Sequence, residues 1–247
     1  MDDLYEGLAQ TLLIFAEKVK RCLPPVEKLQ EVFVAIQPTL NRISTLSAIT
    51  DAAEKLSEEQ FVLTGTIPVE LVKRADTEDI GVLAAEYLIS EVRVRKTIEQ
   101  CGLSQDLLFQ QAIGALKNKQ FNLAILGFTA VLDWLLSEYS GQVKNVNIKS
   151  RCDAIVDKIE NRGDIYFDDL NGCDYLLLLT YANPIRIFGE NSSFSKSEPE
   201  TLNRHWIMHG RTKKSYTRID CVKVINMIYG TIRMGQLGEE DWDGIQA

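Results

Sequence analysis

A chain of 247 residues and 27.9 kDa, 45% hydrophobic and 25% charged, has room for one large or two small domains with a substantial core. Its 15 Gly and 6 Pro are ordinary globular usage and exclude a collagenous, repeat-rich or disordered chain. A net charge of −8 argues at first against a nucleic-acid partner, because phosphate is bound mainly by basic surface.

In chain order the pattern is helical almost throughout. Leu4, Leu8, Leu12, Phe15 and Val19 recur every three or four residues and predict an amphipathic helix ending before Pro24 and Pro25. The chain begins Met-Asp-Asp-Leu, without a basic n-region or cleavage site, so a cytoplasmic location is expected. Shorter segments break at Pro38 and at the loop-like stretch 64–68. A long helix is expected from Thr77 through Leu83, Tyr87, Ile89 and Val92 to Cys101, with Gly102 as its stop. Ser104 is a candidate cap for the next helix, whose apolar positions read as Leu107, Leu108, Ile113 and Leu116.

The span from Phe121 to Tyr139 is the most hydrophobic helix, with Asn122, Thr129, Asp133, Ser137 and Ser140 forming one thin polar stripe. Its apolar run, 123–136, carries Asp133 and is shorter than the roughly 20 residues of a membrane span, so no membrane contact is expected. Further helices are predicted over Ile148–Ile159, over Phe167–Ile187 with a kink at Pro184, and over Arg218–Leu237. Strand-like alternation is absent. The expected fold is all-α: an N-terminal helical region over 1–103, a helical bundle over 104–237 and an acidic tail over 238–247. The serine-rich stretch 190–197 and the tail read as surface. Five cysteines stand singly, without a C-x-x-C, which speaks against a disulfide framework and a zinc ribbon.

The charge is unevenly spread. Between Thr201 and Ile219 lie Arg204, Arg211, Lys213, Lys214 and Arg218 with no Asp or Glu, a cationic island able to focus a polyanion locally. Ser197-Glu198-Pro199-Glu200 has the S-x-x-E form of a capping box, which predicts a short helix over 201–210 ended by Gly210. That piece holds both histidines of the chain, His205 and His209, next to Asn203 and Arg204.

Arg204-His205 followed by three residues and His209, with Gly210 after it, resembles the signature of HEPN domains, helical bundles that include many metal-independent endoribonucleases of toxin and phage-defence systems. The resemblance covers about residues 104–236. It implies an endoribonuclease without metal or other cofactor, working as a homodimer on RNA, with an antitoxin or other protein as a possible partner. It implies His209 as acid/base, Arg204 as the clamp on the transition state, His205 as a positioning group and a 2′,3′-cyclic phosphate as product. Asn203 and Asp133 are supporting candidates, Asp133 as an orienter of a histidine or of Arg204. Lys213, Lys214, Arg211 and Tyr216 are candidates for holding RNA by phosphate contact and stacking.

The chemistry can be stated without the resemblance. Cleaving RNA without metal requires a base for the ribose 2′-hydroxyl, an acid for the leaving 5′-oxygen and positive charge at the phosphorus between them. Histidine supplies either proton role near neutrality, and arginine a permanently charged planar fork. On an ideal helix, however, Arg204 and His209 lie about 140° apart, whereas His205 and His209 lie about 40° apart. Two other readings stand beside this one. The i, i+4 histidines suit a metal, although the glutamate of H-E-x-x-H is missing, and Trp206, Ile207 and Met208 suit a core helix on which the histidines merely pack. A non-catalytic helical module that dimerises or binds RNA or protein is the alternative function.

Overall fold

The computed structural model describes residues 50–63, 107–142, 146–161, 172–191, 194 and 197–238. The helices expected over 4–19 and 77–101, the loop at 64–68, the Ser104 cap and the tail beyond Gly238 lie outside the described residues. The chain divides into two compact units, Met1–Ser47 and Ala48–Ala247, and every described residue belongs to the second. That unit extends further toward the N-terminus than the sequence boundary at 103.

The fold is all-α; no strand occurs among the described residues. We number the helices α1 (50–58), α2 (Leu107–Lys117), α3 (Phe121–Ser140), α4 (Ile148–Glu160), α5 (Gly172–Phe188), α6 (Arg204–Met208) and α7 (Arg218–Gly238). The centre is α3, which packs against α2, α4, α6 and α7, while α7 also packs against α4 and α5. It buries Ala124, Ile125, Phe128, Val131, Leu132, Leu135 and Leu136, and Phe128 meets Phe109 of α2 edge to face at 5.6 Å. By length and composition α3 does suffice to cross a bilayer, contrary to the reading of 123–136 as too short, and half of its apolar window is buried within the bundle.

The face of α2 differs from the expected one. Phe109, Ala112, Ala115 and Leu116 are its buried positions, whereas Leu107 and Leu108 are exposed. An outer strip of α3 exposes Leu123, Leu126 and Trp134 too. Helix α5 continues through Pro184 to Phe188. Cys152 and Cys221 are buried free thiols, and burial pushes the pKa of each up to about 12, so both stay protonated.

The segment after α1 is stitched into the bundle. Phe61, Val62 and Leu63 are all buried, so their backbone donors must be paired internally. The Val62 N–H donates to Asn226 Oδ1 and the Leu63 N–H to Thr180 Oγ1, both at 2.8 Å. The buried Gln60 amide pairs with Leu202 in both directions: Nε2 donates to the Leu202 carbonyl at 3.0 Å, and Oε1 accepts from its N–H at 2.7 Å. Gln60 takes the left-handed region, φ 63°, to turn the chain there.

The end of α5 lies close against the Ile148 side chain at the start of α4. A Cβ on Gly189 would stand 2.6 Å from Ile148 Cγ2, so only glycine lets the end of α5 lie against the start of α4. Replacing Gln60 by Leu leaves the buried Leu202 N–H and C=O unpaired and should cost about 2–3 kcal/mol, read as a lowered urea midpoint with an unchanged m value.

Candidate functional site

The site is built on α6, a helix of five residues and too short to hold itself together. Its brace is mainly hydrophobic: Trp206 and Ile207 are buried against the bundle. The start is capped by Asn203, whose Oδ1 accepts from the N–H groups of His205 and Trp206 at 3.0 and 3.3 Å. The Asn203 Nδ2 donates to the Glu190 carbonyl at 2.8 Å. The expected capping box is not the helix start, because residues 197–203 are non-helical and Glu198 instead accepts from the Thr212 hydroxyl and the Lys213 N–H. At the other end His209 is the C-cap and Gly210 adopts φ 61°. The Gly210 N–H donates to the Ile207 carbonyl and the Arg211 N–H to the Trp206 carbonyl, the paired closure of a Schellman motif.

Arg204 leaves the first turn of α6 toward α3. Its Nη2 donates to Asp133 Oδ2 at 3.0 Å, and the other carboxylate oxygen accepts from Arg151 Nη1 of α4, also at 3.0 Å. Arg151 is held in turn by its Nε, which donates to the Gln142 carbonyl at 3.1 Å. One acid thus orients two guanidinium groups, and the trio keeps one net positive charge. The Arg151 side chain is one-tenth exposed and that of Arg204 about three-tenths. The Arg204 Nε is buried and has no hydrogen-bond partner.

The rings of His205 and His209 meet edge to face with centroids 4.6 Å apart. Phe194 stacks on His205 at 4.3 Å, nearly parallel, presents an edge to His209, and has the Arg211 guanidinium 4.4 Å from its centroid. Burial, then the neighbouring His209, Arg204 and Arg211, holds the pKa of His205 below the ordinary 6.5, so this ring is neutral at pH 7. His209 is exposed.

Two hollows flank the cluster. A cavity of about 70 Å³ is lined by Asp133, Asn147, Arg151, Asn191, Arg204 and His205. A wider one of about 480 Å³ is lined by Phe194, Ser197, Glu198, Trp206, Arg211 and Lys213. Arg204 and His205 therefore share a cavity, and His205 joins Arg204 to His209.

Of the four residues expected to hold RNA, Arg211 and Lys213 reach the wider hollow, but Lys214 and Tyr216 do not. The ammonium of Lys214 donates to the carbonyls of Pro199 and Glu200. Tyr216 is buried in the core, its N–H donating to Asn122 Oδ1, so its ring is no surface for stacking bases. Asn203 supports the site as a backbone cap. Among the described residues no three His, Cys, Asp or Glu side chains are grouped to hold a metal ion.

Compared with protein-family models, curated proteins and solved structures, the chain matches none. The geometry therefore carries the functional argument by itself. Arg151, Asn147, Asn191 and Phe194 are members of the site that sequence reasoning missed. The sole signal for Phe194 was an aromatic residue in an otherwise polar loop, and for Arg151 a cation one turn into a helix packed beside the polar stripe of α3. Since Phe194 covers the face of His205, Phe194→Ala should re-solvate the ring and raise its pKa toward 6.5. With only two histidines in the chain, the two Cε1–H resonances followed against pH read this directly. Linkage has the same sign: the native ring binds its proton less readily than the unfolded one, so His205 costs stability as pH falls below about 6.5, and the variant relieves part of that loss.

Proposed function

We propose that this chain is a metal-independent endoribonuclease whose C-terminal bundle is similar to HEPN domains. The observation that carries the reading is the joining, through His205, of a carboxylate-anchored arginine to a pair of imidazoles at an open edge of the bundle. The reaction needs those groups: the 2′-oxygen attacks phosphorus, the bond to the 5′-oxygen breaks, and a 2′,3′-cyclic phosphate and a 5′-hydroxyl result. His209, exposed at the end of α6, moves the proton, while the Arg204 fork lies against the phosphoryl oxygens. His205, between them, positions both. Arg211 and Lys213, beside Phe194 and Trp206, offer charge and aromatic surface to the adjoining nucleotide.

A homodimer belongs to this reading. Asp133 lies about 20° around α3 from Leu126, at the margin of the exposed strip of Leu123, Leu126 and Trp134. Two copies packed across that strip would bring their sites near each other, so that one His209 acts as base and the other as acid. The biological setting, a cytoplasmic toxin or phage-defence factor with an antitoxin or other protein partner, follows from the resemblance alone.

The same strip favours a second reading, a helical module that dimerises or binds RNA or protein without cleaving. Labelled RNA incubated with the protein in EDTA separates the two. The enzyme reading expects cleavage that survives chelation, leaves cyclic phosphate ends and falls at least about 100-fold in His209→Ala and in Arg204→Ala. Binding without cleavage selects the module, and cleavage untouched by His209→Ala removes the assignment.

A further inference from the structure

The 70 Å³ cavity does not end at His205. Asn147, Gly189 and Asn191 line it and also line a second hollow of about 330 Å³, whose other walls are Lys149, Arg186, Ile187 and Glu190. The two therefore share a rim and make a composite recess, with Arg204 in the narrow part and Lys149 in the wide part.

Its cations are differently committed. Arg204 and Arg151 share Asp133, and Arg186 donates to Asp153 at 2.8 Å. Lys149 is exposed and has no ion-pair partner among the described residues. At the inner end the buried Arg204 Nε is a charged donor without an acceptor. A buried cationic donor left unpaired is costly, so Arg204 is not fully satisfied by its bond to Asp133. Among the described residues the carboxylates in the lining are Asp133, already shared by two arginines, and Glu190 on the outer wall.

We propose that the two hollows form one channel and that it is the track for the ribose–phosphate strand on one side of the scissile linkage, with Arg151 and Arg204 seating an inner phosphate and Lys149 an outer one. The proposal rests on the ribonuclease reading for its choice of strand. A narrow cationic end fits a single phosphate group, and the wide outer end fits a nucleotide unit. Asn147 and Asn191 stand where the two meet: Asn147, whose Oδ1 caps α4 by accepting from the Ser150 N–H at 2.8 Å, offers its Nδ2 as a donor to phosphate oxygens, and the Asn191 carboxamide offers a donor and an acceptor to phosphate and 2′-hydroxyl groups.

The test is binding of a 2′-O-methyl RNA of about ten nucleotides and mixed sequence to the full chain. The blocked 2′-oxygen prevents cleavage, and anisotropy is followed between about 50 and 200 mM salt. Lys149→Gln should weaken binding several-fold and flatten the slope of log K against log salt by about 0.7, one single-strand phosphate contact. Asn191→Asp, which sets a carboxylate on the shared rim, should weaken it about tenfold. Both residues are exposed, so the variants keep the fold. Lys117→Gln, on α2, should bind like the parent. No binding by the parent, parental binding by both track variants, or an equal loss in Lys117→Gln overturns the track.

Cleavage separates the track from the reading it rests on. Strand binding that depends on Lys149 without any cleavage removes the nuclease and leaves the track. Cleavage that needs His209 yet keeps the parental KM in Lys149→Gln and Asn191→Asp removes the track and leaves the nuclease.

Discussion

The site is organised by one carboxylate. Two guanidinium groups brought together repel each other, and in a partly buried place the repulsion is poorly screened. Asp133 resolves this by giving one oxygen to Arg151 and the other to Arg204, each at 3.0 Å. Its backbone belongs to the middle of α3, the helix with the most packing partners, so the point to which both arginines are tied is as rigid as the core. The direction of Arg204 is therefore set by α3 and α4 as much as by its own short helix. Removing the acid frees two charges at once, a larger loss than that of a surface ion pair.

The brace on α6 comes from distant parts of the chain. Five residues of helix gain little from their own hydrogen bonds, and two buried side chains, an asparagine cap and a Schellman closure supply what is missing. Upstream, Leu202 is clamped on both its backbone groups by Gln60, which belongs to the segment following α1. The residues before 104, without a role in any motif, thus hold the chain that leads into the motif. The closing contacts at α4 work similarly. Arg151 and Lys158 donate to carbonyls at and just past the C-terminal end of α3, at Gln142 and Tyr139, where a cation is favoured by the helix dipole.

Much of this order is legible in the sequence, for a physical reason. Helices whose stripe faces one core are fixed by period, so α3, α4 and α7 begin within a residue of where periodicity sets them. The polar stripe that interrupts α3 marks Asp133, since an acid on a rod of Leu and Val must face a partner or water. Helix α2 misleads because Leu-Leu-Phe-Gln-Gln-Ala-Ile-Gly-Ala-Leu carries two apolar stripes, and packing against α3 selects Phe109 over the two leucines. The start of α6 misleads because a capping box is a local signal, while Asn203 gains a second bond, to the Glu190 carbonyl, that only the tertiary fold supplies. Lys214 and Tyr216 read as surface from composition. Nothing in composition shows that the carbonyls of Pro199 and Glu200 converge on one, or that Asn122 draws the other into the core.

The acidity of the whole chain and a polyanionic ligand are compatible on length-scale grounds. At physiological salt the screening length is about 8 Å, so charges elsewhere on a molecule of this size act weakly on a phosphate at the edge of α6. What acts is the local count. Around His205 the described cations Arg151, Arg204, Arg211 and Lys213 face Asp133 and Glu198, and both acids are already engaged, one by two arginines and the other by the Thr212 hydroxyl and the Lys213 backbone. The surplus is positive where the imidazoles open. A net charge of −8 then acts at long range, slowing encounter with polyanions at low salt, and leaves the contacts made on arrival unopposed.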